Sequence, residues 1–284
     1  MEQARVNGLA AYSRTMTSSF DNDAIDVLLP IRPNPPRLRE VLQSLMAQDY
    51  DKWGLVVLLD RDNGQNMSTV LREIHNRRIS FINCDYTRDG FPRMLNKGLM
   101  ASNSQFIARQ DDDDISSPNR LSSQLETLED SPQAVMVTGY ASVIDESKRL
   151  RSQITQPPRE SELARLLIDA NVIPHSSVMF RRQVVLDIGG YDENVRGCED
   201  YDLWLRLLTK GSIKTVGFQT TEILFHEAGM SRTSLTLKVI CRVNKSRFRA
   251  SDVLRVHRSQ ALWSSAVWSI KQLTSRKLRH FVNK

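Results

Sequence analysis

Apolar residues recur along the chain in two alternating patterns. Short, nearly continuous apolar runs at 25–31 (IDVLLPI) and 53–60 (WGLVVLLD) have the length and composition of strands that are buried on both faces. Between such runs, apolar residues are spaced three and four positions apart, as on one face of a helix. The helix after the first run shows this spacing most clearly, at Leu38, Val41, Leu42, Leu45 and Met46.

The alternation of strand and helix predicts an α/β fold with a mostly parallel sheet and helices on both faces. In such sheets, ligands bind at the carboxyl ends of the strands. After residue 114, Ser117 is predicted to cap a helix that has Pro118 at its first position. Further strands are predicted at 78–84, 105–110, 134–144 and 176–182, and a helix over 198–211 that ends at Gly211.

Charge divides the chain into an acidic body and a basic tail. Residues 232–284 contain 13 lysines and arginines and one acidic residue, Asp252, whereas residues 1–231 contain 26 basic and 32 acidic residues. Together with the patterns above, this predicts a mobile lead-in at 1–23, one α/β domain at 24–231 and a basic helical tail at 232–284. A basic tail is typical of a segment that meets an anionic surface.

Two features bear on the compartment. No apolar run approaches the roughly 18 to 20 residues of a membrane span, and the start of the chain lacks the apolar stretch of a secretory signal. The three cysteines, Cys84, Cys198 and Cys241, lie far apart, which favours reduced thiols over a disulfide framework. These features predict a cytoplasmic protein.

Four consecutive aspartates, 111–114, follow the strand predicted at 105–110. Two carboxylates about 5 Å apart repel by roughly 3 kcal/mol at an effective dielectric near 20, so the run needs compensation. A divalent cation such as Mg²⁺ or Mn²⁺, which prefers oxygen ligands, would supply it. A solvated loop that caps the next helix is the alternative, and the residues alone leave both open.

Other polar residues stand where elements begin or end. Glu199 and Asp200 begin a predicted helix, where they either stabilise the helix dipole or act as a general base. Asp60 ends the second strand, so it either closes a turn or accepts a hydrogen bond from a nucleotide base. His175 is expected to be structural, whereas His226 follows the last strand and can approach a metal or a diphosphate.

Taken together, these segments resemble a family 2 glycosyltransferase with the GT-A fold, a Rossmann-like and mostly parallel α/β architecture. The resemblance runs from about Ile25 to Ser231. It rests on the order and spacing of IDVLLPI, VVLLD, MLNKGLMAS, FIARQDDDDISSPNRLSSQ, HSSVMFRR, GGYDE, EDYDLWLRL and HEAGMS.

The resemblance implies donor-side roles. Pro30 and Asp60 would contact the nucleotide, Asp60 through its base. Asp111 and Asp113 match the D-x-D pair, with Asp113 as the metal ligand and Asp111 near both metal and donor. Asp112, also placed beside the donor, stands where the family usually has a small residue that is not acidic.

The resemblance also implies a mechanism. Asp200, with Glu199 beside it, would take a proton from the acceptor hydroxyl, and one displacement would invert the anomeric carbon. Mn²⁺ or Mg²⁺ on Asp113 and Asp111, with His226 near it, would neutralise the diphosphate leaving group. The implied substrates are a nucleotide-diphosphate sugar, expected to be a UDP-sugar, and a glycan or lipid-linked acceptor, in cell-surface polysaccharide or glycoconjugate synthesis. Because the chain lacks a Q-x-x-R-W motif and membrane spans, one hexosyl transfer per encounter is expected.

The chain departs from the family pattern at two further points. Arg32 stands where the first strand usually leads into an aromatic residue, and Arg61 separates Asp60 from Asp62. Both departures concern contacts with the nucleotide base. Arg109 and Arg120, which flank the aspartates, are expected to form surface ion pairs rather than to contact phosphate.

The tail and two rival functions complete the expectations. Trp263, Val267, Ile270 and Leu273 share a helical face with basic flanks, which either packs on the domain or attaches peripherally to anionic lipid on the cytoplasmic face of a membrane. Nucleic acid is a poorer partner because no recognition motif is present. A sugar nucleotidyltransferase would need a glycine-rich loop after the first strand, where this chain has prolines. A catalytically inactive nucleotide-sugar-binding module remains the other alternative.

Overall fold

The computed structural model of the chain describes residues 24–60, 64–75, 77–155, 159–225 and 235–282. Side chains are described up to residue 273, except at positions 64, 65 and 67. The lead-in predicted at 1–23 and the predicted metal-site residue His226 lie outside the described residues.

Strands and helices alternate as the apolar pattern predicts. The first half contains β1 Ile25–Ile31, α1 Leu38–Met46, β2 Trp53–Asp60, α2 Gly64–Glu73, β3 Ile79–Cys84, α3 Tyr86–Asp89, α4 Phe91–Ala101 and β4 Phe106–Arg109. The second half contains β5 Ile115–Ser116, α5 Arg120–Glu129, β6 Ala134–Ile144, β7 Leu150–Ile154, α6 Glu160–Asp169, β8 Met179–Arg181, α7 Arg182–Asp187, α8 Glu199–Leu207, β9 Ser212–Leu224, α9 Leu237–Val253 and α10 Arg258–Val282.

The described strands form one sheet in the order β3-β2-β1-β4-β8-β6-β9-β5, with β7 paired to β6. The three longest ladders, β6 with β9, β1 with β2 and β2 with β3, are all parallel, and β4 is also parallel to β1. β8 runs antiparallel to both of its neighbours. The predicted fold class is confirmed, and the carboxyl ends of β2, β1 and β4 meet at one edge of the sheet.

The side chains of β1 point alternately into two apolar layers, which explains why every residue in that strand is buried. Val27 and Leu29 pack in one apolar layer with residues of α1, α2 and α5, whereas Leu28 packs in the opposite layer with residues of α4, α6 and α8. Successive side chains of a strand point to opposite faces, so a strand covered by helices on both sides reads as a continuous apolar run.

Three details differ from the sequence predictions. The strand predicted at 176–182 is only β8, because a 3₁₀ turn at His175–Ser177 precedes it and α7 begins at Arg182. The predicted cap Ser117 is wrong: α5 begins at Arg120, and the Ser117 hydroxyl donates to the carbonyl of Gln219 at 2.7 Å. The sequence indicated a last strand before His226 but not its bounds, because the polar and apolar residues of β9 do not alternate strictly.

The basic tail packs back on the domain through α9 and α10. The Ser246 hydroxyl donates to Asp202 of α8 at 2.6 Å. The guanidinium of Arg247 lies 5.9 Å from the ring centre of Tyr201 and 5.2 Å from that of Trp268. This docking buries Trp268 but leaves Trp263 and Ile270 72% and 57% exposed, so the predicted apolar face points away from the core.

No helix among the described residues combines the length and the apolar character that crossing a bilayer requires.

Candidate functional site

The aspartate run begins two residues after β4, at the edge where β1, β2 and β4 end. Asp112 and Asp113 are buried, and both bind Arg32, the first residue after β1. The Arg32 backbone N–H donates to Asp112 Oδ2 at 2.7 Å and its Nε donates to Oδ1 at 2.8 Å. Its Nη2 reaches Asp113 Oδ2 at 2.8 Å. A basic side chain thus compensates the middle of the run.

Asp111 is compensated from beneath by Arg109. The Arg109 side chain is completely buried, and its Nη2 donates to Asp111 Oδ1. Burial alone would raise the pKa of Asp111, but Arg109, together with His175 and Arg32, outweighs burial and holds that pKa below its usual value. Asp111 is therefore ionised, and its side chain remains 31% exposed at the site.

Asp114 has a structural role. It accepts hydrogen bonds from the Ser176 hydroxyl and, at 3.2 Å, from the backbone N–H of Leu224. Burial, followed by the charges of Asp111 and Asp113, raises its pKa well above the usual value. Asp114 thus joins the run to β9 and to the 3₁₀ turn before β8, rather than supporting the helix that follows.

The prediction that Arg109 and Arg120 form surface pairs is wrong, because both are fully buried. Arg120 donates to the carbonyls of Arg109 and Val178, at 2.7 and 3.1 Å, and to the side-chain oxygen of Gln110 at 2.9 Å. Both guanidinium groups contact the loop after β4 from the interior of the fold. Because Arg120 is buried there, it cannot reach a ligand in solvent.

The second acidic pair begins α8, directly after a turn at Gly197 whose φ is +81°. Asp200 Oδ2 accepts a hydrogen bond from Asn171 Nδ2 at 2.9 Å, and Oδ1 accepts one from the backbone N–H of Tyr201 at 2.7 Å. Glu199 accepts from the backbone N–H of Gly197 at 2.6 Å. Among the described residues, no basic side chain forms an ion pair with Glu199 or Asp200.

Without such compensation, burial dominates the titration of this pair. Burial, followed by the charge of Asp200, raises the pKa of Glu199 to about 7. Burial also raises the pKa of Asp200, although hydrogen bonds from Tyr201 and Asn171 oppose it, and the charge of Asp111 raises it further. This influence is the smallest of the causes that act on Asp200.

An aromatic group supports the space between the two acidic clusters. His175 Nε2 lies 2.8 Å from the Tyr191 hydroxyl, and its ring packs edge-on against Trp204 at 5.7 Å. Burial, followed by the charge of Arg109, lowers the pKa of His175 to about 3, which agrees with its predicted structural role. Asn96 fixes Tyr191 by bonding its backbone N–H and carbonyl, at 2.8 and 2.9 Å.

Asp60 and Pro30 lie on the strands that lead to the same edge. Asp60 ends β2 and accepts a hydrogen bond from the backbone N–H of Tyr86, the first residue of α3, at 2.9 Å. Pro30 is buried within β1. The structure therefore brings Asp60, Asp111, Asp112 and Asp113 to one edge, and the nucleotide contacts of Asp60 and Pro30 stay predictions.

A cavity of about 660 Å³ opens between α3, the loop before α8 and the start of α9. Glu199 lines it on one side, and Tyr86, next to the contact with Asp60, lines it on the other. Its described lining also includes Phe91, Arg196, Thr236, Lys238 and Arg242. The cavity thus reaches Glu199 of the acidic pair and is bounded partly by the basic tail.

The carboxylates of Asp113 and Asp111 are the described groups best suited to a divalent cation. The described residues contain no ready cluster of three or more metal-ligating side chains. Mg²⁺ typically takes one or two carboxylates and completes its shell with substrate phosphates and water, so two carboxylates are sufficient. The guanidinium of Arg32 already pairs with Asp113 at 2.8 Å.

Sequence reasoning overlooked two contributors to the site. Asn171 was not singled out, although the exposed loop after α6 places its amide on Asp200. Arg32 was noted only as a departure from the family pattern, yet it binds two of the four aspartates. Four aspartates beside a strand end did signal a need for cations, but no local pattern indicated which residues supply them.

Comparisons with known proteins identify the family and the fold of this chain. The family model described as Glycosyl transferase family 2 matches residues 26–189. An uncharacterized glycosyltransferase of Haemophilus influenzae is 26% identical over 187 residues, which cover 64% of this chain and 68% of that protein. The amylovoran biosynthesis glycosyltransferase AmsE of Erwinia amylovora is 26% identical over 181 residues, which cover 63% and 67%.

Solved structures show the same fold. S. aureus TarS 1–349 in complex with UDP-GlcNAc has a TM-score of 0.66 at 14% identity, covering 81% of this chain and 70% of that one. The mannosyltransferase PcManGT from Pyrobaculum calidifontis, in complex with GDP-Man and Mn²⁺, has a TM-score of 0.59 at 14% identity, covering 99% and 87%. The fold is therefore that of GT-A glycosyltransferases. Because the family model spans more than half of the chain, this protein belongs to glycosyl transferase family 2.

Proposed function

We propose that this protein transfers one hexosyl group, with inversion, from a nucleotide-diphosphate sugar to an acceptor hydroxyl. The observation that carries the proposal is the presence of two acidic groups with unlike surroundings, one after β4 and one at the start of α8. Asp111 is kept ionised by Arg109, whereas Asp200 has neutral partners and feels the charge of Asp111. An anionic, cation-binding side and a proton-accepting side thus face one space.

The donor side is formed by the aspartate run. Asp113 and Asp111 would hold Mn²⁺ or Mg²⁺, and such an ion neutralises the charge that develops on a departing diphosphate. Asp60, at the end of β2, is placed to accept a hydrogen bond from the base, and Asp112 keeps Arg32 at the same edge. A neighbouring structure with UDP-GlcNAc and another with GDP-Man support a nucleotide-sugar donor, and we favour a UDP-sugar.

Asp200 is the proposed general base. Its two hydrogen bonds, from Asn171 and from the Tyr201 backbone, favour the ionised carboxylate and fix its direction. Burial raises its pKa toward the working range of a base, because a base with too low a pKa takes protons poorly. A proton from the acceptor hydroxyl moves to Asp200 while the oxygen attacks the anomeric carbon from the side opposite the diphosphate, and this single displacement inverts the configuration.

The cavity lined by Glu199 is the proposed acceptor entrance. It is large enough for a sugar unit, and it reaches the acidic pair from the side of the basic tail. Among the relatives, AmsE is named for amylovoran biosynthesis and WbnJ of Escherichia coli for O-antigen biosynthesis. These names support a glycan or lipid-linked acceptor in the synthesis of cell-surface polysaccharide.

A membrane surface is the proposed location of that acceptor. The exposed face of α10, with Trp263 and Ile270, suits shallow insertion at the cytoplasmic face, and nearby basic residues such as Lys271 would attract anionic lipid. Substituting both Trp263 and Ile270 by Ser should lower the fraction that co-sediments with vesicles containing phosphatidylglycerol. Leu150→Ser, which changes an equally exposed apolar residue on β7, is the control. Unchanged binding, or equal binding to neutral vesicles, would contradict the membrane proposal.

Ligand-induced stabilisation tests the donor proposal directly. A donor at about 100 times its Kd adds about 2.7 kcal/mol to the free energy of unfolding, so the correct nucleotide sugar should raise the Tm when Mn²⁺ or Mg²⁺ is present. Asp113→Asn should lose the metal-dependent part of this rise, whereas Asp130→Asn, at the exposed end of α5, should keep it. If no nucleotide sugar stabilises the wild type with either metal, the proposed function is wrong.

A further inference from the structure

Arg32 and Asp112 lie far apart in the sequence, and the structure joins them. They lie 80 positions apart in the sequence, yet three groups of Arg32 contact the Asp112 carboxylate: the backbone N–H, Nε and Nη2, at 2.7, 2.8 and 2.7 Å. A single contact, from Nη2 to Oδ2 at 2.8 Å, reaches Asp113. Arg32 is therefore bound mainly to Asp112 and makes one contact with Asp113.

The anchor is rigid, whereas the guanidinium remains accessible. The side-chain amide of Asn66 donates to the carbonyls of Arg32 and Pro33, at 3.1 and 3.2 Å, which fixes the backbone after β1. The side chain of Asp112 is 3% exposed and that of Asp113 is 8% exposed, but the side chain of Arg32 is 45% exposed. The outer part of the guanidinium thus faces the open side of the edge where the donor is proposed to bind.

The position of Nη2 conflicts with a divalent cation on Asp113. Two cationic groups repel strongly when both approach one carboxylate oxygen in a partly buried site. The contact with Asp113 therefore opens when an ion binds the same oxygen, while the contacts of the backbone N–H and Nε with Asp112 can persist. A guanidinium released in this way keeps its fork geometry, which matches the oxygens of a phosphate group.

We propose that Arg32, held by Asp112, is a phosphate-binding and metal-gating residue of the donor site. In the donor-free protein, Arg32 neutralises Asp113. When the divalent cation and the donor bind, Nη2 leaves Asp113 for a diphosphate oxygen, while the backbone N–H and Nε stay on Asp112. This assignment rests on the proposed function, because it takes the aspartate edge as the site of a nucleoside diphosphate.

Two binding measurements test the assignment without an activity assay. The first is binding of Mn²⁺ alone, followed by the electron paramagnetic resonance signal of the free ion. Arg32→Gln should bind Mn²⁺ several-fold more tightly than the wild type, because the competing cation is gone. The second is calorimetric binding of UDP and GDP with saturating Mn²⁺, where Arg32→Gln should bind the preferred diphosphate about tenfold more weakly.

Two further variants separate this role from a structural one. Arg37→Gln removes a second arginine of the same loop, which pairs with Glu40 and Glu222 instead, and should change neither measurement. The double variant Arg32→Gln with Asp112→Asn removes both charges of the pair. If Arg32 serves only to neutralise Asp112, the double variant should regain wild-type diphosphate affinity. If Arg32 binds phosphate, the affinity stays low.

The outcomes distinguish the two proposals. A wild type that binds neither Mn²⁺ nor a nucleoside diphosphate contradicts the proposed function and this assignment together. A wild type that binds both, with Arg32→Gln unchanged in either measurement, contradicts the assignment alone, as does recovery of diphosphate affinity in the double variant. Far-ultraviolet circular dichroism and thermal unfolding of each variant establish that a lost affinity does not reflect a lost fold.

Discussion

The two acidic clusters of this molecule, one after a strand and one at the start of a helix, are built in opposite ways. Asp111, Asp112 and Asp113 each contact an arginine, through Arg109 from within the fold and Arg32 from above it. Glu199 and Asp200 begin α8, and the contacts given above to their carboxylates come from neutral backbone or amide groups. Among the described residues, the first cluster is compensated by cations and the second is not.

This difference indicates a separate chemical role for each cluster. Arginine partners keep Asp111 ionised in spite of burial, so it can attract a cation at any neutral pH. Neutral partners leave burial to raise the pKa of both Glu199 and Asp200, which brings the pair closer to the range where protons are exchanged. Residue type alone does not separate the two roles, since both clusters consist of carboxylates. The neighbouring side chains separate them.

Asp200→Asn should have the largest effect on this comparison. It removes the proposed base while keeping the shape of the side chain and the possibility of hydrogen bonding to Asn171. Transfer should fall by about 10² to 10⁴-fold, the usual contribution of general base catalysis. Mn²⁺ affinity and nucleotide affinity should stay within a few-fold of the wild type.

Asp113→Asn is the complementary experiment. It should weaken Mn²⁺ binding and metal-dependent nucleotide binding, which Asp200→Asn leaves intact. If both variants lose metal binding alike, or if Asp200→Asn keeps full transfer activity, the division between a cation-binding cluster and a proton-accepting cluster is wrong.

The sequence predicted the positions of the two acidic clusters better than it predicted the residues that surround them. Buried strands are recognisable as apolar runs, and the residue at which each run ends is visible, so Asp60 and Asp111 were correctly placed at strand ends. The start of α8 at Glu199 followed from the helical spacing of Tyr201, Trp204 and Leu205. Local patterns of this kind depend on neighbours in sequence.

Contacts between distant segments carry no such local pattern. Arg32 and Asp112 are 80 positions apart, and Asn171 and Asp200 are 29 apart, so neither contact is visible before the chain folds. The burial of Arg109 was also missed, because an arginine beside aspartates on a strand usually points to solvent. Its position beneath the run depends on the carbonyl of Leu28, which only the folded sheet brings within reach, and on the carbonyl of the adjacent Gln110.

Glu199→Gln should have an intermediate effect, which appears in the pH dependence of stability. The folded protein raises the pKa of Glu199 to about 7, so it holds this proton more tightly than the unfolded chain does. The resulting stabilisation is fully present below the unfolded pKa of about 4.5 and is lost as the pH rises to about 7. The Glu199→Gln variant lacks this loss. Its free energy of unfolding, relative to that of the wild type, should therefore increase on the order of 2 kcal/mol as the pH rises between these values.

Urea unfolding of both proteins at several pH values between 4 and 8 measures that gain. Glu160→Gln is a control variant, because the contribution of Glu160 to stability should change with pH in the opposite direction. Partial burial would raise the pKa of Glu160, but hydrogen bonds from Lys214 and Ser212, together with the charge of Lys214, outweigh burial and lower it. The stabilisation from Glu160 is therefore present above its unfolded pKa and lost as the pH falls. Parallel pH profiles for the Glu199→Gln variant and the wild type would show that Glu199 is solvated like an ordinary surface carboxylate.

Asn171→Ala should have the smallest effect and the most specific one. Its amide donates to Asp200 Oδ2 at 2.9 Å and so favours the ionised base. Because Asn171 is exposed, water can replace part of this hydrogen bond, and the loss should be at the low end of the about 0.5–1.5 kcal/mol of a typical bond. The pKa of Asp200 should rise accordingly, and the acidic limb of the profile of kcat/KM against pH should move to higher pH by less than about one unit. At high pH, where Asp200 is ionised in both proteins, the rates should converge. A loss of equal size at every pH would mean instead that Asn171 positions the substrate or the loop, and the contrast between arginine-compensated and amide-supported carboxylates would then no longer explain how Asp200 is tuned.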